Sequence, residues 1–304
     1  MPRRSPPNPL PRPRHLDTAG YILIQLLNGV QYGLLLFLLA TGLTLVFGVM
    51  GIINLAHGSF FMIGAYLALT LTRLGMPFAV TIVLSLIAAV AIGIVTELVT
   101  LRHIYGRDHL DQVLLTFGLI LIFNETVRLL WGADIQSLPM PEALSGSIPL
   151  FGRHRYPAYR LFVTAFGLLV GAGLWLLINR TRLGMIIRAG ASRRETVGAM
   201  GININLVFTG VFGLGAGLAA VSGTVAAPIL SLYPGMGEEI IIITFVVVVI
   251  GGLGSLRGAL LGSLLIGVAD TFGKAMLPEL SSVMVYVMMV VVLLFKPRGL
   301  FSRG

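Results

Sequence analysis

The sequence predicts an all-α, polytopic integral membrane protein, and three observations support this prediction. Apolar residues make up 56% of the 304 residues and charged residues 11%, whereas soluble domains carry about 25% charged residues. Long runs without Asp, Glu, Lys or Arg recur along the chain, and one bilayer span needs about 20 such residues. An arginine-rich segment separates two of these runs, as expected of a loop between spans.

The two ends of the chain are expected to be tails. Residues 1–20 are rich in proline and arginine, so we expect a disordered segment. The apolar run that follows it is too long for a signal peptide, so this tail is expected to be retained. Residues 21–299 are expected to form a single transmembrane domain, and residues 300–304 a short C-terminal tail.

The apolar runs give the order of the predicted helices. The first run, Thr18–Thr72, is long enough for two spans, with a break expected at Gly48–Gly51. Seven further segments follow: Ala79–Leu101, Val113–Trp131, Leu161–Ile178, Leu206–Ala227, Ile240–Gly251, Ala259–Phe272 and Val283–Phe295. The last three are shorter than a full span and are expected to be tilted, extended or broken. The sequence thus predicts about eight or nine transmembrane helices, several of them short.

The segment Asn179–Asn205 sets the expected orientation. It carries one acid, Glu195, and five arginines: Arg180, Arg182, Arg188, Arg193 and Arg194. Because basic loops tend to stay in the cytoplasm, we expect this segment, the loop Arg102–Asp111 and the C-terminus to be cytoplasmic, and Gly132–Arg160 to be outside. About nine crossings then place the N-terminus outside, whereas the arginines of the tail favour the opposite side.

A short capped helix is predicted inside this segment, from Arg193 to Met200. The residues that define it are Ser192, Arg193, Glu195, Val197, Met200, Gly201 and Ile202. The serine and the glutamate have the spacing of a capping box, and the glycine stands where a left-handed residue ends a helix. The valine and the methionine share one face, and the isoleucine could close on the valine. The simpler interpretation is a basic loop that only sets orientation.

A few polar residues fall inside or beside apolar runs. Asn54 and His57 either line a solute pathway, or end a helix near the membrane surface with the histidine neutral and hydrogen-bonded. Glu97 is expected to reach toward the inner surface near Arg102. Two further pairs are expected to be structural ion pairs, Glu125 with Arg128 and Asp270 with Lys274.

Both halves of the chain contain a glycine-rich break between apolar segments, at Gly48–Gly51 and at Gly251–Ser255. Broken helices at matching positions of two halves indicate a transport site. The candidate pathway residues are therefore Asn54, His57, Gly58, Ser59, Gly251, Gly254 and Ser255.

Several classes of site are excluded. The chain has no cysteine, which excludes disulfides and thiolate metal sites. It contains no G-x-x-x-x-G-K-[ST], no H-E-x-x-H and no G-x-S-x-G motif. We therefore expect no catalytic site, no metal and no cofactor bound by this chain. The net charge of +9 is better explained by membrane orientation than by nucleic-acid binding.

Five blocks of sequence together resemble the permeases of branched-chain amino acid ABC transporters, of the LivH/LivM type and closer to LivH. They are GLTLVFGVMGIINLAHGSFFMIGAY at Gly42–Tyr66, GRDHLDQVLLTFGL at Gly106–Leu119, RTRLGMIIRAGASRRETVGAMGIN at Arg180–Asn203, VVIGGLGSLRGALLGSLLIG at Val248–Gly267 and FKPRGLF at Phe295–Phe301. The resemblance covers nearly the whole chain after the tail, which itself departs from the family pattern.

The resemblance implies a subunit of an ATP-driven importer in the bacterial inner membrane, working by alternating access. It implies four kinds of partner: a second homologous permease of the LivM type, two cytoplasmic ATPase subunits that use ATP and Mg, a periplasmic substrate-binding protein and membrane lipid. The short helix Arg193–Met200 matches by position the element that docks on an ATPase.

Other functions remain open at this stage. The resemblance implies that substrate choice lies largely in the binding protein, so a permease for urea, short amides or other small organic solutes is the alternative within the family. A stand-alone secondary transporter or channel is less favoured, because ion coupling would require buried charges along a pathway. An intramembrane enzyme would require a catalytic pair, and none is visible.

Overall fold

The computed structural model describes residues 18–151, 154–192, 198, 201–297 and 299–301, which form ten α-helices and one β-hairpin. The helices are α1 Thr18–Met50, α2 His57–Arg73, α3 Phe78–Val99, α4 His109–Trp131, α5 Ala158–Arg180, α6 Arg182–Ser192, α7 Ile204–Ala226, α8 Met236–Gly251, α9 Leu256–Met276 and α10 Ser281–Phe295; the hairpin pairs β1 Ser147–Phe151 with β2 His154–Pro157. Six helices, α1, α3, α4, α5, α7 and α9, are long and apolar enough to cross a membrane.

The all-α membrane class is confirmed, and every predicted span coincides with a helix to within a few residues. Two elements were not predicted. Helix α6 occupies the first half of the expected basic loop, and the hairpin lies in the loop between α4 and α5. Both escape a search for apolar runs, because α6 is interrupted by arginines and the hairpin strands are only 5 and 4 residues long.

Helix α1 crosses the centre of the bundle, antiparallel to both α7 and α9. We call the end at which α1 begins the N-terminal face and the end at which α10 finishes the C-terminal face. Along α9, Gly29 lies against Val268 near the N-terminal face and Gly48 lies against Gly254 near the C-terminal face. Along α7, the Ser222 hydroxyl donates to the Leu35 carbonyl at 2.9 Å. The axes come this close because glycine has no side chain at the contact.

Helices α2 and α8 both begin inside the bundle and run to opposite faces. The first turn of α2 lies beside the middle of α1, where His57 Nε2 is 3.1 Å from the Leu39 carbonyl oxygen. Its last residue, Arg73, donates to Gln136 on the N-terminal face at 2.7 Å. Helix α8 ends at the C-terminal face, where the Ile250 carbonyl accepts from the Leu300 amide at 2.8 Å.

The starts of α2 and α8 touch each other through two glycines. A Cβ atom on Gly237 would lie 2.6 Å from the Gly58 carbonyl oxygen, and a Cβ on Gly58 would collide with the Gly237 carbonyl oxygen. Since α1 and α7 are antiparallel and each leads through a short break into one of these helices, α1–α2 and α7–α8 have the arrangement of an inverted repeat.

The predicted internal symmetry was therefore wrong in its second half. The counterpart of the break after α1 is the segment Ala227–Gly235, whereas Gly251–Ser255 lies on the C-terminal face between α8 and α9. The sequence was misleading because both glycine-rich stretches end helices. Gly51 follows α1 with φ 71° and Gly252 follows α8 with φ 99°, and both conformations favour glycine.

The close contact between α2 and α8 predicts that a larger residue at Gly58 destabilises the protein. We expect Gly58→Ala to lower the free energy of unfolding by about 1–3 kcal/mol, because the added methyl group overpacks a backbone contact. Gly173→Ala in α5 is the matched control, since nothing lies within 4 Å of a Cβ there. Alanine in that helix should be neutral or stabilising by about 0.5–1 kcal/mol. Thermal unfolding of both variants in detergent measures the difference, and equal melting temperatures would contradict the contact.

Candidate functional site

The candidate residues from the first half of the chain lie together at the point where α2 and α8 begin. Asn54, His57, Gly58 and Ser59 are all buried there. The side-chain oxygen and nitrogen of Asn54 make no hydrogen bond within the described part of the chain. A buried amide without partners is costly, so Asn54 stays a candidate pathway residue.

His57 does not end a helix at the membrane surface. The N-cap of α2 is Ala56, which has no side-chain capping bond. The His57 ring lies against Gly42, and its Nε2 atom approaches the Leu39 carbonyl in the middle of α1. The histidine is hydrogen-bonded, as one interpretation required, but its contact ties the start of α2 to α1.

Two acids in the first turn of α8, Glu238 and Glu239, escaped the sequence analysis. Asn124 of α4 donates to Glu238 at 2.5 Å, which links α4 to the start of α8. Negative charge is favoured at a helix N-terminus, and an ionisable residue at membrane depth indicates function. The signal in the sequence is the pair of acids just before the short apolar run Ile240–Gly251.

A cavity of about 660 Å³, which we call the outer cavity, opens between α1, α7, α8 and α9. One stripe of α1 lines it, from Gln25 and Asn28 through Gln31 to Leu35 and Leu39. At its inner end the cavity reaches Phe61 of α2 and Met236 of α8, next to the point where these two helices meet.

Charged and hydrogen-bonded groups surround the N-terminal end of the outer cavity. Asn28 Oδ1 accepts from Arg160 Nη1 at 2.5 Å and from the Tyr156 hydroxyl at 3.0 Å. Across the cavity, the expected pair of Lys274 and Asp270 is present at 2.7 Å.

The late candidates lie elsewhere. Gly254 and Ser255 line a second cavity of about 1180 Å³ on the C-terminal face, together with Arg188 and Arg257. The structure thus separates them from the Asn54–Ser59 group. Gly251 is packed against Gly258, where a Cβ would lie 2.9 Å from the Ala259 amide nitrogen, so it serves the contact between α8 and α9.

Glu97 is fully buried and does not reach toward the surface. It accepts hydrogen bonds from Tyr105, from Thr209 at 2.8 Å and from Arg102 at 3.4 Å, which join the C-terminal-face ends of α3 and α7. Burial, and then the bond to the carboxylate, raise the pKa of Tyr105 well above its usual range. The expected proximity to Arg102 is confirmed, whereas the carboxylate stays buried because its three donors replace water.

The other expected ion pair is confirmed, with Arg128 Nε 3.4 Å from Glu125 Oε2 and both side chains about half exposed. The predicted helix Arg193–Met200 lies outside the described residues, apart from Gly198. Gly201 has the expected left-handed conformation, with φ 79°. Ser192 is the last residue of α6, so the capping box, with Glu195 and Val197, stays a prediction.

The described residues contain no group of three or more His, Cys, Asp or Glu side chains that could hold a metal ion. The candidate functional features of the described residues are two interrupted helices that meet inside the bundle and a cavity that leads to them.

The family model described as branched-chain amino acid transport system / permease component matches residues 25–293. The permease protein BraD of the high-affinity branched-chain amino acid transport system of Pseudomonas aeruginosa is 34% identical, with 93% of this chain and 96% of that protein covered. The corresponding LivH of Salmonella typhimurium is 28% identical, with the same shares covered. A probable branched-chain amino acid transport permease protein LivH of Methanocaldococcus jannaschii is also 28% identical, with 90% of each chain covered. No solved structure gives a significant match.

Substitutions of His57 can distinguish a role in anchoring α2 to α1 from a role in the solute pathway. We expect His57→Phe to lower the free energy of unfolding by about 1 kcal/mol, because the ring loses its bond to the Leu39 carbonyl. His57→Gln keeps a donor and should retain both stability and solute uptake. Unfolding in detergent and uptake into vesicles are measured for both variants. Normal stability with lost uptake in His57→Gln would instead make this residue part of the pathway.

Proposed function

Because the chain belongs to the permease-component family of branched-chain amino acid transport systems, we propose that it is the transmembrane permease of an ATP-driven importer. Its substrates are branched-chain or related hydrophobic amino acids, which it moves across the bacterial inner membrane by alternating access. The observation that carries this proposal is the inverted pair of interrupted helices, α2 and α8, at the inner end of a cavity whose lining extends along α1 from Gln25, near the N-terminal face, to Leu39.

The geometry supports alternating access in a specific way. The outer cavity ends beside Phe61 and Met236, where α2 and α8 meet. Separation of these two helices would extend the cavity toward the C-terminal face. Irregular backbone at membrane depth is tolerated where it is buried in protein or lines water. The breaks before α2 and α8 satisfy that condition in the arrangement described here, in which the two helices are in contact.

Charge distribution supports a cytoplasmic C-terminal face. Among the described residues near that face, arginine and lysine outnumber acids; the basic residues are Arg102, Arg107, Arg180, Arg182, Arg188, Arg257 and Lys296. Near the N-terminal face the basic residues are fewer and are matched by acids: the basic residues are Arg73, Arg128, Arg155, Arg160 and Lys274, and the acids are Glu125, Asp134, Glu142, Asp270 and Glu279. The positive-inside bias then places the outer cavity on the periplasmic side, where a substrate-binding protein would deliver solute.

ATP hydrolysis must come from partner subunits in this proposal, since the chain has no phosphate-binding loop of the Walker type. Two cytoplasmic ATPases would bind ATP and Mg, and a second permease would complete the membrane unit. Helix α6 offers a mechanical link to them. A Cβ on its Gly190 would lie 3.9 Å from Val49 of α1 and 3.7 Å from Ile204 of α7. Movement of the adjoining segment Arg193–Met200 would thus reach both helices that precede the breaks.

The proposal is tested by reconstituting the chain with its partner permease, ATPases and binding protein in liposomes. We expect uptake of leucine, isoleucine or valine that requires both ATP and the binding protein. Uptake of urea or acetamide in place of these amino acids would favour the alternative solute class. Uptake by the chain alone, driven by an ion gradient, would favour a secondary transporter.

Orientation is testable because the chain contains no cysteine. A cysteine at Ser145, exposed beside the hairpin on the N-terminal face, should react with an impermeant thiol reagent added outside intact cells. A cysteine at Ser192 should react only after the membrane is opened. Labelling is measured on the purified chain, and the reverse pattern would invert the proposed orientation.

Coupling through the segment Arg193–Met200 is tested with Met200→Asp. A charge in an interface that excludes water costs several kcal/mol, so we expect substrate-stimulated ATP hydrolysis and uptake to be lost together while membrane insertion persists. Glu195→Gln is the control, because glutamine keeps the capping box and changes charge on another face of the helix. ATP hydrolysis and uptake by the Glu195→Gln variant should stay within about twofold of the unsubstituted transporter. Glu195 lies on a different face of the predicted helix from Met200, so this variant should leave the proposed ATPase contact intact.

Retention of both ATP hydrolysis and uptake in Met200→Asp would contradict the proposed coupling. The segment would then only set membrane orientation, as in the simpler interpretation of its arginines.

A further inference from the structure

We propose that the outer cavity is itself a binding site for a zwitterionic aliphatic amino acid, with Arg160 facing the carboxylate and Asp270 facing the ammonium group. The inference rests on the proposed function and deepens it, because it places a solute site within one chain. The site is built from three features of the cavity: its depth, its balance of charge and its apolar inner half.

The depth of the cavity allows a solute to leave the face of the bundle and approach the interrupted helices. From Gln25 to Leu39 the lining stripe of α1 extends about 21 Å, at the 1.5 Å rise per residue of a helix. A volume of about 660 Å³ leaves room for an amino acid and several water molecules. The cavity is thus large enough to hold the solute at membrane depth.

The charges that line the cavity are balanced. Arg160 and Lys274 supply two positive groups, and Glu239 and Asp270 supply two negative groups. A cavity lined mainly by one sign would attract an ion of the opposite sign. Balanced charges of both signs, with Arg160 on a different helix from the Asp270–Lys274 pair, instead fit a solute that carries both signs and no net charge.

Arg160 retains capacity for a carboxylate. It lies at the first turn of α5 and is half buried, with its Nη1 atom held by Asn28. A guanidinium has five N–H donors, and its planar fork matches a carboxylate through two parallel bonds. The bond to Asn28 fixes the position of the fork and leaves other donors for the solute.

Asp270 retains capacity for an ammonium group. Its side chain is 8% exposed, and its Oδ2 atom pairs with Lys274. No hydrogen bond to its Oδ1 atom is found among the described residues. Gln31, buried to 4% exposure on the same cavity wall, also makes no side-chain hydrogen bond within the described part of the chain. A buried carboxylate with one oxygen still able to accept is the expected partner of an ammonium group.

Apolar side chains predominate in the inner half of the cavity, although Ser222 and Glu239 also line it. Its lining includes Leu35, Leu36, Leu39, Phe61, Met236 and Ile240. A branched aliphatic side chain would remove apolar surface from water there, whereas urea or a short amide would leave its polar groups without partners. The cavity therefore favours an amino acid with an aliphatic side chain over the small amides.

Protection of an introduced cysteine tests the site in the full chain. Thr271 lines the cavity beside Asp270 and is partly exposed, so Thr271→Cys is the reporter. Thr81→Cys is the matched control, since Thr81 is fully buried in α3 and lines neither cavity described above. Right-side-out membrane vesicles are treated with a cationic methanethiosulfonate, and the labelled fraction of the purified chain is measured over time.

We expect the reporter to react and the control to stay unlabelled. L-leucine should slow labelling of the reporter at least tenfold at saturation. 4-Methylpentanoate, which lacks the ammonium group, and isopentylamine, which lacks the carboxylate, should protect at least tenfold less effectively. Protection by acetamide without protection by leucine would overturn the assignment.

Two substitutions in the reporter background test the assigned roles. Arg160→Gln and Asp270→Asn should each raise the leucine concentration for half-protection at least tenfold, and Arg160→Lys should recover part of the loss for Arg160. Arg155→Gln, on the exposed hairpin and away from the cavity, is the control and should change nothing. Unchanged half-protection in both Arg160→Gln and Asp270→Asn would overturn the proposal.

The failure of this site and the failure of the proposed function give different results. Leucine uptake by the unsubstituted, fully assembled transporter is measured beside the protection assay. Uptake without protection of the reporter would leave the transport function in place and remove the cavity as its site. Protection without uptake would keep the site and refute the import function.

Discussion

Two helices that begin inside the bundle impose the constraint on which the rest of the structure depends. The first backbone N–H groups of a helix have no hydrogen-bond acceptor within that helix, and in lipid there is no water to accept from them. The structure places the starts of α2 and α8 against each other through Gly58 and Gly237, with α1 and α7 on either side. These starts are therefore enclosed by protein, and α1 is the most deeply buried of the six long apolar helices.

The same constraint explains where the polar side chains lie. His57 fastens the start of α2 to α1, and Glu238 and Glu239 place negative charge at the start of α8. Asn54 is enclosed in the break before α2 with its amide unpaired among the described residues. His57 and Asn54 would each be expensive on a lipid-facing surface. These two buried side chains can exist here because the starts of α2 and α8 lie in an interior enclosed by protein.

The sequence alone was sufficient to locate the apolar helices and insufficient to predict how they pair. Bilayer thickness imposes a length on apolar runs, so the spans could be located from hydropathy. Helix α6 was missed because its apolar residues are separated by arginines and glycines. The inverted counterpart of the first break was missed because Gly51 and Gly252 share a role as helix caps, which produces similar sequences without equivalent positions.

The candidate site shows more clearly what could not be predicted from the sequence. Gly58 could be chosen from the sequence because it follows a visible break, but its contact with Gly237 joins segments far apart in the chain. Arg160 and Asp270 lie on different helices, and nothing in their local sequences brings them to one cavity. Local patterns predict local structure, whereas a site made by packing depends on contacts that no short segment contains.

The inverted arrangement of α1–α2 and α7–α8 has an energetic consequence. In the alternating access proposed above, the two halves would exchange their conformations across the bundle, and the exchanged state would keep a similar set of contacts. Two such states would differ little in free energy. A full reversal of populations, from 1:99 to 99:1, requires about 5.5 kcal/mol of differential binding. Binding at one face that differs by this amount between the two states would therefore be enough to reverse their populations.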